Sequence, residues 1–202
     1  MAKVSLDLEP IDFFHRIIGS KGFMELSIGQ RVAYPGQGVC EVEKIEMRRV
    51  GETNIECCLL RVVGDDSHIL VPVRNAEAVG IRSVITTSQC RRLINRLAED
   101  FEEISTDWKA RSKQFTEKLQ SGDVFEAADV LKKLTFLSHC KKLSFREQTL
   151  LEKAKHLLIS EIANADHRKS ESIESRICEL VEAACDKHEK AQPSMAVAAV
   201  AQ

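Results

Sequence analysis

Aromatic residues are scarce in this chain: 5% of 202 residues, with one tryptophan and one tyrosine. A sole tryptophan, Trp108, therefore stands out as either a core anchor or a contact residue. No apolar run reaches about 18 residues, so no membrane span is expected. A lone Lys3 is followed by acidic residues, which is no secretory signal. Seven cysteines are an odd number, none in C-x-x-C spacing, and the six histidines are scattered without converging on them as a ligand set. That pattern argues against a disulfide framework or a zinc site, and for reduced thiols in a cytoplasmic protein. No metal and no cofactor is expected. No phosphate loop, nucleophile–base pair or paired carboxylates is recognisable, and Gly36-Gln37-Gly38 lacks the rest of a nucleotide fingerprint. The chain reads as a non-enzyme with no catalytic residues.

Charge of one sign is lacking too. With 29 basic and 31 acidic residues the net charge is −2, which excludes a non-specific coater of nucleic acid. The distribution is uneven: residues 130–155 hold 7 basic and 2 acidic side chains. A small DNA footprint on a protein held mainly by a protein partner fits that balance.

What is present is a block of strand and turn signals from Arg31 to Arg82. Val32 and Tyr34 favour a short strand, and Pro35-Gly36-Gln37-Gly38 is turn chemistry. Val39, Val42 and Ile45 alternate with Glu41, Glu43 and Glu46, predicting a half-solvated strand with room for a bulge. Gly51-Glu52 is a turn, Ile55 to Val62 a more buried strand, Gly64-Asp65-Asp66 a hairpin and Ile69 to Val73 a fourth strand. Short strands joined by tight turns predict a small SH3- or Tudor-like β-barrel.

Nearly everything after the barrel reads as helix. Thr87 or Ser88 is a candidate cap for a helix to about Ala98. Glu99-Asp100-Phe101-Glu102-Glu103 reads as an acidic linker, and Ser105 or Thr106 as the cap of a helix from Asp107 to Leu119. Asp123 with Glu126, and Ser144 with Glu147, are capping-box signals for two more. Residues 170–190 repeat apolar positions at helical spacing and predict a last helix, loosely packed, before an Ala/Val-rich tail without order. Ahead of the barrel, Pro10 to Gly19 predicts two helical turns with Phe13, Phe14, Ile17 and Ile18 on one face. The fold class is thus α+β. The expected units are an extension over 1–25, the barrel over 26–86, a helical bundle over 87–165, and a C-terminal helix and tail over 166–202.

Tyr34-Pro35-Gly36-Gln37-Gly38-Val39, Leu60-Arg61, Val71-Pro72-Val73 with Asn75-Ala76, and Val79-Gly80-Ile81-Arg82 carry a resemblance. So do Trp108-Lys109-Ala110-Arg111, Ser121-Gly122-Asp123-Val124, Val130-Leu131-Lys132-Lys133-Leu134 and Leu143-Ser144-Phe145-Arg146-Glu147. In this order the chain resembles the CarD/CdnL bacterial transcription regulators, whose RNA-polymerase-interacting domain has a relative in the transcription-repair coupling factor. The resemblance runs from about Leu26 to Ala163. It implies a monomer whose barrel edge binds the β subunit of RNA polymerase, with Arg48, Leu70 and Pro72 at the matching positions. It also implies that the helical part contacts promoter DNA at the upstream edge of the melted bubble.

In that family the tryptophan matching Trp108 wedges into the minor groove and stabilises the open complex. Read from spacing alone, Trp108, Phe115 and Leu119 stand at i, i+7 and i+11, so Trp108 fits a core position equally well. The resemblance points to Lys109, Arg111 and Lys113 as phosphate contacts, with Lys142, Arg146 and Lys153 as weaker candidates. Ala110 and Ser112 depart from the family's second arginine and aromatic, and Lys109 is placed to compensate. The alternative is a polymerase-bound protein-interaction adaptor without direct DNA contact.

Overall fold

The computed structural model describes residues 25–65, 67–166 and 170–191. The helix expected over Pro10 to Gly19 and the tail from Gln192 lie outside the described residues. Strands β1 (Arg31–Tyr34), β2 (Gly38–Val50), β3 (Thr53–Val62), β4 (His68–Pro72) and β5 (Arg82–Ser83) are followed by five helices. These are α1 (Thr87–Leu97), α2 (Trp108–Gln120), α3 (Val124–Cys140), α4 (Phe145–Asp166) and α5 (Ser170–Ala191). The fold is α+β: an antiparallel five-stranded sheet in the order β4-β3-β2-β1-β5, then helices.

The alternation of β2 is real up to a register shift between Val42 and Lys44, a bulge that bends the strand. Val42, Leu60 and Ile69 face one another across three strands, as do Ile45, Cys58 and Val71. These residues, with Val32, Cys40, Val62, Ala76 and Ile81, form the apolar core of the sheet. The neighbouring Cys57 is also buried, and all seven cysteines are free thiols. The β2–β3 hairpin runs to Val50↔Thr53 around Gly51, at φ 64°, and leaves Met47 and Val50 exposed at its end.

The helices pack around Leu93, Leu97, Phe115, Leu119, Leu131, Leu134 and Leu158. Their starts are locally encoded. Thr86 caps α1 in a box with Gln89, one position ahead of the sequence expectation of Thr87 or Ser88. Asp107, in place of Ser105 or Thr106, caps α2. Asp123 accepts from Phe125 N at the start of α3, and Ser144 and Glu147 bond reciprocally at the start of α4. Three expectations need correcting. First, α5 is not loosely packed: Ile173, Ile177, Val181, Ala184 and Cys185 are buried in the bundle. Second, the stretch Glu99 to Glu103 is no simple solvated linker. Phe101 is buried, stacked on His188 with centroids 4.0 Å apart, while His188 Nδ1 donates to Asp100 (2.7 Å). Third, Lys132 and Lys133 are buried and do not add to a basic surface. Lys132 reaches the end of α1, donating to the carbonyls of Arg96 (2.8 Å) and Glu99 (3.2 Å), where a helix terminus leaves acceptors unpaired.

The Pro35-Gly36-Gln37-Gly38 turn is also the seam between sheet and helices. Gly38 approaches α4 so closely that a Cβ there would lie 2.6 Å from Ser160 Oγ. His156 Nε2 donates to the Gln37 carbonyl (3.2 Å). The Pro35 ring sits between Gly80 and Gly122, where added Cβ atoms would come within 2.8 and 3.0 Å of its Cγ. Beside it, Arg82 donates to Gly122 O (2.9 and 2.6 Å) and forms a two-pronged bond with Glu161 (2.5 and 3.0 Å). Glu161 is buried and also accepts from Ile85 N. The seam fixes the sheet relative to the helix ends that carry the candidate site.

Candidate nucleic-acid interface

Trp108 opens α2, with Asp107 accepting from Lys109 N (2.9 Å) as its cap. At the first position of α2, Trp108 is 60% exposed, while Arg111 in the same turn and Phe115 and Leu119 further on are buried. Helical spacing alone left Trp108 open as a core residue; its place at the helix end keeps it in solvent. Lys109 holds its ammonium 5.7 Å from the centre of the indole.

Arg111 is a correction. It is only 3% exposed, donates to Ser105 O (2.7 Å) and pairs with Glu147 (2.8 Å). Its guanidinium anchors the α1–α2 loop to α4, which removes it from the candidate phosphate contacts. Burial pushes the Glu147 carboxyl up. Hydrogen bonds from Arg111 and from the Ser144 N–H and hydroxyl, with the charge of Lys141, outweigh this and hold it at about 2. The pair joins the first turns of α2 and α4. Trp108 lies three residues before Arg111 and Phe145 two before Glu147, about 4.5 and 3 Å along their helices at 1.5 Å per residue.

Of the other predicted contacts, Lys113 is exposed and loosely paired with Glu117 at 3.8 Å. Lys142 and Arg146 are exposed beside the start of α4. Lys153 is not with them. It lies farther along α4 and half-buried at the seam, where a Cβ on Gly36 would be 3.0 Å from its Nζ. One residue escaped the sequence reading: Phe145, the first residue of α4, is 86% exposed. Its neighbour Ser144, a helix cap, was the available signal, since a residue just inside a cap often precedes the buried stripe.

A second surface lies on the sheet. β4 is an edge strand, as Pro72 suggested. Leu70 and Pro72 alternate onto the same face as Leu59 and Cys57 of β3 and Lys44, Glu46 and Arg48 of β2. Leu70 is 42% exposed, so it is not a core residue. Arg48 Nε donates to Glu46 (2.7 Å), which Lys44 also contacts. The three predicted polymerase positions thus share one face. Among the described residues no helix is long and apolar enough to cross a membrane, and no cluster of His, Cys, Asp and Glu is placed to hold a metal.

The fold and site define a two-part protein: a small antiparallel sheet with an open edge, joined to a helical bundle that exposes Trp108 and Phe145 at its helix starts. Residues 26–85 match the family model described as the CarD-like/TRCF RID domain, and residues 92–178 match the CarD C-terminal domain. The chain belongs to the CarD/CdnL family of transcription factors. It is 25% identical over 135 residues to a Bacillus subtilis (strain 168) protein titled "Putative transcription factor YdeB", covering 67% of this chain and 88% of that one. It is also similar to the solution structure of the 72-residue N-terminal domain of Myxococcus xanthus CarD. That match has 34% identity, covers 29% of this chain and 79% of that one, and has a TM-score of 0.27.

Proposed function

We propose that this protein is a cytoplasmic, bacterial regulator that binds the β subunit of RNA polymerase through its sheet edge and stabilises the promoter open complex. Arg48, Leu70 and Pro72 make the polymerase contact. Trp108 wedges into the minor groove at the upstream edge of the bubble, with Lys109, Lys113, Lys142 and Arg146 on phosphates. The protein acts as a monomer without a cofactor. The observation that carries this reading is the exposure of Trp108 on a helix start that Arg111 and Glu147 hold rigidly. A large aromatic kept in water gains by inserting at a partly unstacked base step, where wedging costs little and re-annealing is blocked. Minor-groove edges carry little sequence code, so no base-specific readout is expected.

The test is the lifetime of open complexes formed with purified polymerase. Wild type lengthens it. Trp108→Ala loses about tenfold while still binding polymerase. Arg48→Glu loses polymerase binding. If Trp108→Ala behaves as wild type, the wedge is wrong. The adaptor reading, in which the helices bind a protein, is favoured by one observation: Arg111 is buried in the bundle, leaving one fewer cation for DNA.

A further inference from the structure

Phe145 has no structural task. It is 86% exposed, the most exposed large apolar side chain among the described residues. Its backbone carbonyl accepts from Thr149 Oγ1, but the α4 cap is made by Ser144 and Glu147. Substituting the ring leaves these bonds untouched. Phe145 is also next to the candidate site, since the Arg111–Glu147 pair ties its helical turn to that of Trp108.

Charge narrows what could cover this ring. Lys142 and Arg146 flank it in sequence, and Lys109 follows Trp108 with its ammonium 5.7 Å from the indole, while the exposed Lys113 lies further along α2. Of the nearby carboxylates, Glu147 is held by Arg111 and Asp107 caps α2, while Glu117 is only loosely paired with Lys113. A surface with two exposed aromatics among cations suits a polyanion that carries flat apolar faces. Nucleic acid is that polymer, and an intact stack hides those faces. Unpaired nucleotides expose them, and base–aromatic stacking is the usual means of holding a single strand without reading its sequence.

We infer that Phe145 is a second base-contacting aromatic, stacking on an unpaired nucleotide of the opened strand beside the step that Trp108 wedges. The inference rests on the DNA-contact reading of Trp108. It adds that the surface prefers a forked end to continuous duplex.

The experiment uses the full chain bound to polymerase on two labelled promoter DNAs. One is unpaired at the upstream edge of the bubble and the other is paired there. Affinities are measured for wild type, Phe145→Ala, Phe145→Trp and Trp108→Ala. Phe145→Ala is expected to weaken binding to the forked DNA by about tenfold. Its affinity for the paired DNA should be unchanged, Phe145→Trp should restore the fork preference, and melting temperatures should stay at the wild-type value. If Phe145→Ala keeps the fork preference while Trp108→Ala loses it, the second contact is overturned and the wedge survives. If wild type and both alanine variants bind the two DNAs equally, the DNA-contact reading falls and takes this inference with it. If Phe145→Ala weakens binding to polymerase without DNA, the ring contacts protein and the inference is also overturned.

Discussion

The sheet and the bundle solve burial differently. The sheet core is made of aliphatic residues, one alanine and two thiols, with strand pairing satisfying the backbone. The bundle buries Arg111, Lys132, Lys133, Glu147, Glu161 and His188 among its leucines. A strand paired on both sides satisfies its polar groups along its length, whereas a helix leaves its ends unsatisfied. Long polar side chains therefore bind the bundle's ends and loops. Lys132 closes the end of α1, Glu147 closes the start of α4, and Arg111 ties the loop before α2 to Glu147. The few buried charged residues of the helical half are fasteners, while most of its charged side chains are exposed.

The sharpest way to break this contrast is to remove one member of a buried pair. Glu147→Ala strands Arg111 and is expected to destabilise the protein by about 3–5 kcal/mol in urea titrations, whereas Arg111→Leu with Glu147→Leu should lose far less. Next in size is acid sensitivity. Glu147 falls from its ordinary 4.5 to about 2 in the folded protein. Its stabilisation is complete above about pH 4.5 and fades as pH falls through about 2, worth about 3 kcal/mol in all. Glu147→Gln should flatten that part of the stability–pH curve. If the wild-type curve is already flat between pH 5 and 2, the carboxyl is not held down.

The seam gives a smaller effect. Gly80 has φ 81° and no room for a Cβ beside Pro35, so Gly80→Ala should cost about 1–2 kcal/mol. Gly51→Ala also sits at positive φ (64°) but with open space around it, so the difference between the two melting temperatures reports mainly the packing at the seam. Smallest are the exposed cations. Lys142→Ala and Arg146→Ala should change stability by less than about 0.5 kcal/mol. Each should lower the salt slope of DNA binding by about one unit. Lys153→Ala, at the seam, should leave that slope unchanged.

Local chemistry was legible in the chain. The first four strands, the bulge after Val42, the Asp123 cap and the Ser144–Glu147 box all depend on neighbours a few residues apart, whereas β5 was not expected because it forms only by pairing with the distant β1. The count of 7 basic residues in 130–155 was correct but misled, because sequence does not reveal that Lys132 reaches carbonyls 33 and 36 residues away. The same holds for Arg111, whose partner lies 36 residues on, and for Phe145, an apolar residue left in solvent. The turn at Pro35 was readable as a turn. Its contact with Gly80 and Gly122 was not, because three distant segments must converge to make it.

The sequence by itself determined the α+β order, the turn positions, most helix starts and the motifs that mark the family, since periodicity, caps and glycine turns act over a few residues. Tertiary structure alone decided which charged side chains are fasteners and which face outward. It also placed Trp108 and Phe145 on neighbouring helix starts and set the sheet edge relative to them. Burial and ion pairing depend on what arrives from elsewhere in the chain, and no local pattern contains that partner.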